Sequence, residues 1–283
     1  MERSSKTDPL VGAPQKHPFN LGEQLRPHFH ILKALLIREL KNRFGRFKLG
    51  YAWAILEPLG YVGAFSVIRV AFGEDDLAGL PFPVFFTLGV IPFLFFTGSL
   101  TQSLTAVRAN SGLFNYRQVK PFHAVLARQI LEAVMYLVSG GLILALFFIF
   151  GFSFEINNLV KTLGVLILFN FFCLGLGLLM VVWGPLFRES EKILPILIRP
   201  LFLLSGIFLP TIHIPEEYLP YVMWNPVLHA IELFRFSLVS NYQTPIQSIH
   251  YFAAVTAVIF IVGIAVYWKK ERKLLTSGTI RVR

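Results

Sequence analysis

Apolar residues are concentrated in six blocks of about 20 residues, separated by more polar stretches. The blocks cover residues 51–72, 84–107, 125–150, 159–184, 193–209 and 249–268. A helix that rises about 1.5 Å per residue needs about 20 apolar residues to cross a hydrocarbon core about 30 Å thick. The pattern therefore predicts an all-α integral membrane protein with six transmembrane helices per chain.

The fifth block and the segment after it have an unusual pattern. Pro195 and Pro200 each remove a backbone donor, so we expect the fifth helix to be bent and packed against protein rather than lipid. Residues 210–235 are too apolar for a free loop and too often interrupted by proline for a span. This segment is predicted to form re-entrant outer helices that precede the last span and cap a passage from outside.

The N-terminal part has a different periodicity. Residues 1–25 are rich in proline and glycine, which predicts a disordered cytoplasmic leader. The next segment, 26–50, is predicted to contain an amphipathic interfacial helix, because apolar residues recur there at helical spacing: Phe29, Leu32, Leu36, Leu40 and Phe44. Two interpretations remain open, a membrane-surface anchor and a docking face for a cytoplasmic partner.

Composition and charge agree with a membrane protein. Of 283 residues, 55% are hydrophobic and 15% are charged, whereas about a quarter are charged in ordinary soluble domains. The net charge is +10, but 22 of the 26 Lys and Arg lie in segments that the six helices place on one side. Short cytoplasmic loops carry such a basic excess, so both termini are predicted to be cytoplasmic. No segment outside the spans is long enough for a nucleic-acid-binding face.

These boundaries define a transmembrane domain at 51–268 and a basic cytoplasmic tail at 269–283. Charged residues inside the spans are expensive in lipid, so they are expected to face protein, water or an interface. Arg128 and Glu132 are spaced i, i+4 and are predicted to pair. Glu57 and Arg199 have no such explanation and are therefore candidates for a functional role.

Cations and aromatic rings alternate just before and within the first span. Arg43, Arg46 and Lys48 precede Tyr51 and Trp53. Rings stack on sugar faces and cations hold carboxylates or phosphates, so an acidic amphipathic polymer would find both contacts here. The alternative is an ordinary aromatic belt with positively charged anchors.

The connection at 109–124 is small, basic and partly apolar. It starts with Asn, Ser and Gly and continues with Phe114, Tyr116, Arg117, Lys120 and Phe122. Such a segment suits a short helix that enters a cleft of another protein, and a solvated turn is the alternative.

Motifs for catalysis or nucleotide binding are absent from the sequence. There is no P-loop and no G-x-S-x-G. His213, Glu216, Glu217, His229 and Glu232 do not form an HExxH or comparable ligand pattern, so no metal site is expected. Energy for uphill movement must then come from an ion gradient or another subunit, and no catalytic residue is assigned.

Four segments in order resemble one family: RFGRFKLGYAWAILEP, the basic connection between the second and third spans, RPLFLLSGIFLP at 199–210 and WNPVLHAIELFR at 224–235. The chain resembles the membrane subunits of ABC-2-type polysaccharide exporters, in particular the KpsM-type permeases of group 2 capsular polysaccharide systems. The resemblance covers roughly residues 28–275.

The resemblance implies a homodimer in the bacterial inner membrane, associated with two cytoplasmic nucleotide-binding ATPase subunits. ATP and Mg would be bound by those subunits, and this chain would have no cofactor. The implied substrate is a lipid-linked, usually acidic polysaccharide. A periplasmic co-polymerase-type protein and an outer-membrane channel are further implied partners.

The resemblance also assigns roles to three groups of residues. The lipid-linked end of the polymer would enter between the first and fifth helices, and the substrate-path candidates are Arg43, Arg46, Lys48, Tyr51, Trp53, Glu57, Tyr61 and Arg199. The ATPase-coupling candidates are Phe114, Tyr116, Arg117, Lys120 and Phe122. The re-entrant gate candidates are His213, Tyr218, Tyr221, Trp224, Asn225, His229, Glu232 and Arg235.

Two other functions remain open at this point. One is an ABC-2 exporter of another substrate, such as O-antigen, teichoic acid or a drug. The other is an integral-membrane enzyme that acts on lipid-linked sugars, for which Glu216, Glu217 and His229 are the only grouping that could serve.

Overall fold

The computed structural model describes residues 21–44, 52–71, 76–116, 118–152, 154–187 and 189–280. The helices in these ranges are α1 (Leu21–Phe44), α2 (Trp53–Ala71), α3 (Phe82–Ala109), α4 (Pro121–Ile149), α5 (Leu159–Leu186), α6 (Ser190–Leu204), α7 (Leu219–Val222), α8 (Pro226–Leu238) and α9 (His250–Ile280). A two-stranded antiparallel hairpin, β1 (Asp76–Leu77) and β2 (Leu80–Pro81), precedes α3. Short 3-10 helices occupy Ser111–Asn115 and Thr211–His213. The prediction of an all-α protein is confirmed.

Four of the described helices are long and apolar enough to cross a membrane. They are α3, α4, α5 and α9, with mean hydropathies from 1.8 to 2.7. Helix α6 has 15 residues, a length of about 22 Å, which is shorter than the roughly 30 Å of a hydrocarbon core. Each predicted block thus contains a helix, while the number of six crossings stays a prediction.

The end of α6 differs from the predicted boundary at residue 209. The helix ends at Leu204, and Gly206 follows with φ of 70°, a conformation that glycine adopts easily. A Cβ atom on Gly206 would lie 2.8 Å from Cδ1 of Leu228. The chain therefore turns at Gly206 and packs its backbone against α8.

The two ends of the described chain also differ from the predicted boundaries. Helix α1 begins at Leu21, inside the predicted leader 1–25, because Leu21, Glu23, Gln24 and Leu25 are all good helix formers. Residues 1–20 lie outside the described part. Helix α9 continues to Ile280, so most of the predicted tail extends the last helix.

Helix α3 forms the centre of the bundle, where it packs against α2, α4, α5, α6 and α8. The surrounding core is aromatic and includes the fully buried rings of Phe85, Phe86, Phe169, Phe172 and Phe252. Helices α5 and α9 touch backbone to backbone: a Cβ atom on Gly175 would lie 2.8 Å from Cα of Phe260. Small residues permit such close helix contacts in membrane proteins.

The bundle has two ends, which we name for their contents. The α1 end carries α1, the connection from α3 to α4 and the last turns of α9. The hairpin end carries β1, β2, the connection from α4 to α5 and the segment 205–249. At the hairpin end Ile156 pairs with Val239 as an isolated antiparallel bridge, and the backbone N–H of Asn157 donates to the carbonyl of Leu238 at 2.8 Å.

Candidate functional site

A network of polar side chains joins α1 to α3 and α4. We call it the α1 cluster, and its members are Arg38, Glu39, Arg43, Asn110, Arg128 and Glu132. Nε of Arg128 lies 3.1 Å from Oε1 of Glu39, and Nη1 of Arg43 contacts Oε1 of Glu132. In these two pairs the charges on each helix are one turn apart: the acid Glu39 precedes the base Arg43 on α1, whereas the base Arg128 precedes the acid Glu132 on α4. The two ion pairs therefore fix one face of α1 against one face of α4.

The predicted pair between Arg128 and Glu132 is wrong, since each residue has a partner on α1. Arg128 also uses Nη1 to donate to the carbonyl of Gln102 at 2.6 Å and to Oγ1 of Thr105 at 3.0 Å. An exposed i, i+4 pair stabilises a helix by only about 0.2–0.5 kcal/mol, whereas a buried guanidinium needs partners for several donors. Glu39 and Arg43 have the same four-residue spacing, which is compatible with this arrangement but does not identify α4 as the helix that α1 crosses.

The α1 cluster continues to the end of α3. Arg38 donates through Nη1 to Oδ1 of Asn110 at 2.9 Å and through Nη2 to the carbonyl of Ala109 at 3.0 Å. Nδ2 of Asn110 donates to Oε1 of Glu39 at 3.2 Å. Because Asn110 is also the first residue after α3, α1 is bonded directly to the start of the connection at 109–124.

The coupling candidates divide into inward and outward residues. Phe114 is buried in a cluster with Val107 of α3 and Leu274 of α9, and the N–H of Phe122 donates to the Tyr267 hydroxyl at 3.1 Å. These two residues attach the connection to the bundle. Tyr116 is 67% exposed, and Lys120 is exposed and pairs with Glu271 at 3.3 Å. Arg117 lies outside the described residues.

The substrate-path candidates on α2 share one exposed face. Trp53, Glu57 and Tyr61 follow each other at four-residue intervals, and all three are exposed. Arg199 is exposed on α6. Arg43 differs from them, because its guanidinium is engaged by the buried Glu132. Arg46, Lys48 and Tyr51 lie outside the described residues.

A second buried polar network lies at the hairpin end. We call it the α8 cluster, and its members are Thr211, Glu232, Arg235 and Tyr242. Glu232 accepts hydrogen bonds from the hydroxyl groups of Thr211 at 2.9 Å and Tyr242 at 3.0 Å. It also pairs with Nη1 of Arg235 at 3.2 Å, and neither charged side chain of this pair is exposed.

Arg235 bonds the α8 cluster to the surrounding backbone. Its Nη1 donates to the carbonyl of Gly206 at 2.6 Å, and its Nη2 donates to the carbonyl of Phe85 at 3.1 Å. The guanidinium carbon lies 3.7 Å from the centre of the Phe85 ring. The turn after α6, the start of α3 and helix α8 are therefore joined at one side chain.

The other gate candidates also divide between interior and surface. The Asn225 side chain accepts from the N–H of Val227 at 3.0 Å and caps α8, and its amide donates to Oγ of Ser205 at 2.9 Å. His229 is buried, and its Nε2 lies 2.8 Å from the carbonyl oxygen of Met223. The exposed members are His213, Tyr218, Tyr221 and Trp224.

Burial shifts the pKa of two side chains at the hairpin end, Tyr242 and His229. It raises the pKa of the Tyr242 phenol above its usual range, so the hydroxyl remains a donor to Glu232. Burial also lowers the pKa of His229, and the hydrogen bond to the Met223 carbonyl opposes that shift. The neutral imidazole then donates through Nε2.

The acidic and histidine side chains of segment 210–235 do not converge. Glu216 and Glu217 are exposed, whereas His229 is buried and bonded to backbone. Across the described ranges, no three His, Cys, Asp or Glu side chains are grouped as metal ligands would be. The grouping that an enzyme on lipid-linked sugars would use is therefore not assembled.

Comparison with known proteins identifies relatives along most of the chain. The Escherichia coli polysialic acid transport protein KpsM is 40% identical over 253 residues, which cover 87% of this chain and 95% of that protein. The capsule polysaccharide export inner-membrane protein CtrC of Neisseria meningitidis serogroup A is 24% identical over 250 residues, 88% of this chain and 94% of that protein. The O-antigen export system permease protein RfbA of Klebsiella pneumoniae is 23% identical over 258 residues, 90% and 95% of the two chains.

A family model also matches most of the chain. The model of the ABC-2 type transporter matches residues 30–239, a range that includes the α1 cluster, the exposed face of α2, the connection between α3 and α4, and all members of the α8 cluster except Tyr242. The chain therefore belongs to the ABC-2 type transporter family.

Proposed function

We propose that this protein is the transmembrane permease subunit of an ATP-driven exporter that moves lipid-linked capsular polysaccharide from the cytoplasm across the bacterial inner membrane. The observation that carries the proposal is the 40% identity to the polysialic acid transport protein KpsM, over 95% of that protein. The name of CtrC also refers to capsule polysaccharide export at the inner membrane.

The proposed topology has six crossings with both termini in the cytoplasm. It is supported by the 22 of 26 Lys and Arg that this arrangement places on one side. The α1 end then faces the cytoplasm, with α1 lying along the membrane surface. Helices α7 and α8 have 4 and 13 residues, too few to cross, which supports a re-entrant segment at the outer face.

The proposed assembly is a homodimer with the polymer passing between the two copies. Helices α2 and α6 lie at the periphery of the bundle and expose apolar side chains, including Leu56 and Ile68 on α2 and Ile196 and Leu203 on α6. A second copy would cover these faces. The stripe of Trp53, Glu57 and Tyr61 would then border the passage, where rings stack on successive sugars.

The driving force is assigned to two cytoplasmic ATPase subunits that bind ATP and Mg. Of the described coupling candidates, Tyr116 and Lys120 are exposed. Tyr116 is the proposed contact with the ATPase, because Lys120 already pairs with Glu271 of α9. Closure of the ATPase pair would push on the connection at 109–124. Asn110 would transmit the displacement to α1 and α4 through Glu39 and Arg128, which shifts the equilibrium between two arrangements of the helices.

The exposed rings at the hairpin end provide a second proposed contact. Tyr218, Tyr221 and Trp224 lie on and beside the short helix α7 and are more than half exposed. Aromatic side chains are enriched at protein interfaces. We assign this surface to the periplasmic co-polymerase-type protein that leads to an outer-membrane channel.

Deletion of the gene for this protein in its native host tests the proposal. We expect surface capsule to disappear while lipid-linked polymer accumulates inside the cell, because synthesis continues without export. Fractionation and immunodetection of the polymer measure both quantities. Unchanged surface capsule, or polymer that fails to form at all, would contradict the proposal.

O-antigen export is a second candidate function, favoured by the 23% identity to the permease protein RfbA. The same deletion strain separates the two. Loss of O-chains from lipopolysaccharide with intact capsule would assign O-antigen as the substrate, whereas loss of capsule with intact O-chains is the result we expect.

A further inference from the structure

A cleft of about 570 Å³ lies at the α1 end, between α1, α4, α5 and α9. This volume is within the roughly 300–1,000 Å³ of typical ligand sites. Its walls include the apolar side chains of Leu32, Leu126, Leu178 and Ile264, one from each helix. The cleft is separate from the α8 cluster and from the exposed stripe on α2.

A cation lies in the lining of the cleft. Nζ of Lys120 is 3.3 Å from Oε1 of Glu271, and the Lys120 side chain remains 51% exposed. The same carboxylate oxygen also accepts from the Tyr267 hydroxyl at 3.2 Å. An ammonium group has three donors, so this one ion pair leaves Lys120 able to bind an anion.

Two histidines supply a second donor in the lining of the cleft. The backbone N–H of Lys120 donates to Nδ1 of His123 at 3.1 Å, so the neutral His123 ring carries its proton on Nε2. That nitrogen lies 2.9 Å from Nδ1 of His28. His28 then carries its own proton on Nε2, and it also lines the cleft.

The surroundings of the cleft are those of a membrane–water interface. Trp268 and Phe29 both line the cleft and are 72% and 66% exposed, and tryptophan is enriched at this depth. Around Glu271, α9 continues with the basic residues Lys269, Lys270, Arg272 and Lys273. A basic run directly beyond a transmembrane helix attracts anionic lipids.

We propose that this cleft binds one anionic phospholipid of the adjacent membrane leaflet. Its phosphate would lie at Lys120 and His28, and an acyl chain would cover Leu32, Leu126, Leu178 and Ile264. The apolar walls exclude a soluble anion as the preferred occupant, because it would leave them in contact with water. The basic surroundings disfavour a zwitterionic lipid, whose head group adds a positive charge.

Fluorescence quenching of Trp268 tests this site without any transported polymer or ATPase. Trp53, Trp183 and Trp224 are replaced by Phe in the full chain, which leaves Trp268 as the reporter. The protein is placed in bilayers that contain a fixed share of lipid with brominated acyl chains, either phosphatidylglycerol or phosphatidylcholine. We expect brominated phosphatidylglycerol to be enriched at Trp268 about fivefold over phosphatidylcholine. This is the ratio of affinities expected when one lysine attracts an anionic lipid near the bilayer surface.

The variant Lys120→Gln should remove most of this preference, while Lys120→Arg should keep it. Lys192→Gln is the matched control, because Lys192 is exposed at the start of α6 and does not line the cleft. Native mass spectrometry is applied to the chain with all its tryptophans and to its Lys120→Gln variant. The variant should retain one phosphatidylglycerol molecule fewer than the parent chain. This second measurement does not depend on the tryptophan replacements.

Three results would overturn the proposal. Equal quenching by the two lipids means that no anionic lipid is selected. Equal loss of preference in Lys120→Gln and Lys192→Gln means that the general surface charge, not the cleft, recruits the lipid. Reversal of the quenching by soluble glycerol phosphate would assign the cleft to a soluble phosphate compound instead.

Discussion

The α8 cluster and the α1 cluster are both buried charge networks, but they connect different kinds of elements. In the α8 cluster, Glu232 and Arg235 lie on one helix, and Arg235 donates to the backbone carbonyls of Gly206 and Phe85. In the α1 cluster, each acid and its base lie on different helices, α1 and α4. The first network fixes the path of one segment, and the second bonds two helices to each other, so that a displacement of one helix would act on the other.

The two clusters differ less in exposure than in connectivity. The side chains of Glu232 and Arg235 have no exposure, those of Glu39 and Arg128 are 11% and 8% exposed, and that of Arg43 is 28% exposed. Removal of one member of a fully buried ion pair costs about 3–5 kcal/mol, because the other charge is left without a partner. Partly exposed pairs contribute less, since water compensates. The comparison therefore predicts that substitutions in the α8 cluster mainly lower the stability of the protein, and that substitutions in the α1 cluster mainly lower export.

The largest expected effect is that of Arg235→Met. The substitution leaves the Glu232 carboxylate without its guanidinium and releases three backbone carbonyls, so we expect about 3–5 kcal/mol of destabilisation. The amount of protein in the membrane and its thermal unfolding in detergent measure this effect. Arg199→Met is the matched control, because Arg199 is exposed and its loss should leave both quantities near wild type. Equal behaviour of the two variants would refute the role of the α8 cluster.

The second prediction concerns Glu39→Gln and Arg128→Gln. Each single change should cost about 2 kcal/mol, in the range of a hydrogen bond to a charged group, and the double mutant should reveal a coupling of about 0.5–3 kcal/mol between neighbours. We expect the variants to remain in the membrane but to lose ATP-driven export, because α1 no longer follows α4. Unfolding experiments and an export assay provide the two readouts.

Glu191→Gln is the control for this prediction. Glu191 pairs with Arg108 at 2.8 Å, and the side chains of Arg108 and Glu191 are 62% and 39% exposed; such surface pairs contribute about 0–1 kcal/mol. Its export should be unchanged. If Glu39→Gln exported polymer at the wild-type rate with normal protein level, α1 would have no part in transmission.

The smallest effect on stability is expected for Tyr61→Ala. Tyr61 is exposed on α2, so unfolding should change by no more than about 0.5 kcal/mol, while export should fall if the ring contacts sugars. Tyr61→Phe should retain most export, because the ring is kept. Phe148→Ala, an exposed ring at the end of α4, should leave export unchanged. Loss of export in Phe148→Ala as well would argue against a specific path along α2.

The positions of the long helices could be predicted from the sequence, and the partners of their charges could not. A block such as 159–184 is apolar throughout, and this local property is sufficient to predict α5. The partner of Glu132 depends instead on which helix crosses α4 at that turn. Glu132 has a basic residue four positions away in the sequence, yet its partner Arg43 is 89 residues away.

The candidate site divides in the same way. The exposed face that carries Trp53, Glu57 and Tyr61 follows from helical spacing and is visible in the sequence. The burial of Phe114 and of His229 does not follow from it, because both lie in short segments whose inward face is set by contacts with distant helices. The sequence pattern predicts Phe114 as a coupling residue and His229 as a gate residue, but both are buried, whereas their neighbours Tyr116 and Trp224 are exposed.

Reconstitution with the candidate ATPase subunit tests the central claim most directly, namely that this chain is a permease driven by another protein. Proteoliposomes with both subunits are supplied with lipid-linked polysaccharide on the ATPase side, and protection of the polymer from an added glycosidase is measured. We predict that protection requires ATP and both subunits, and that it is lost in Glu39→Gln. Protection of the polymer by this chain alone, or its chemical conversion without any partner, would contradict the account.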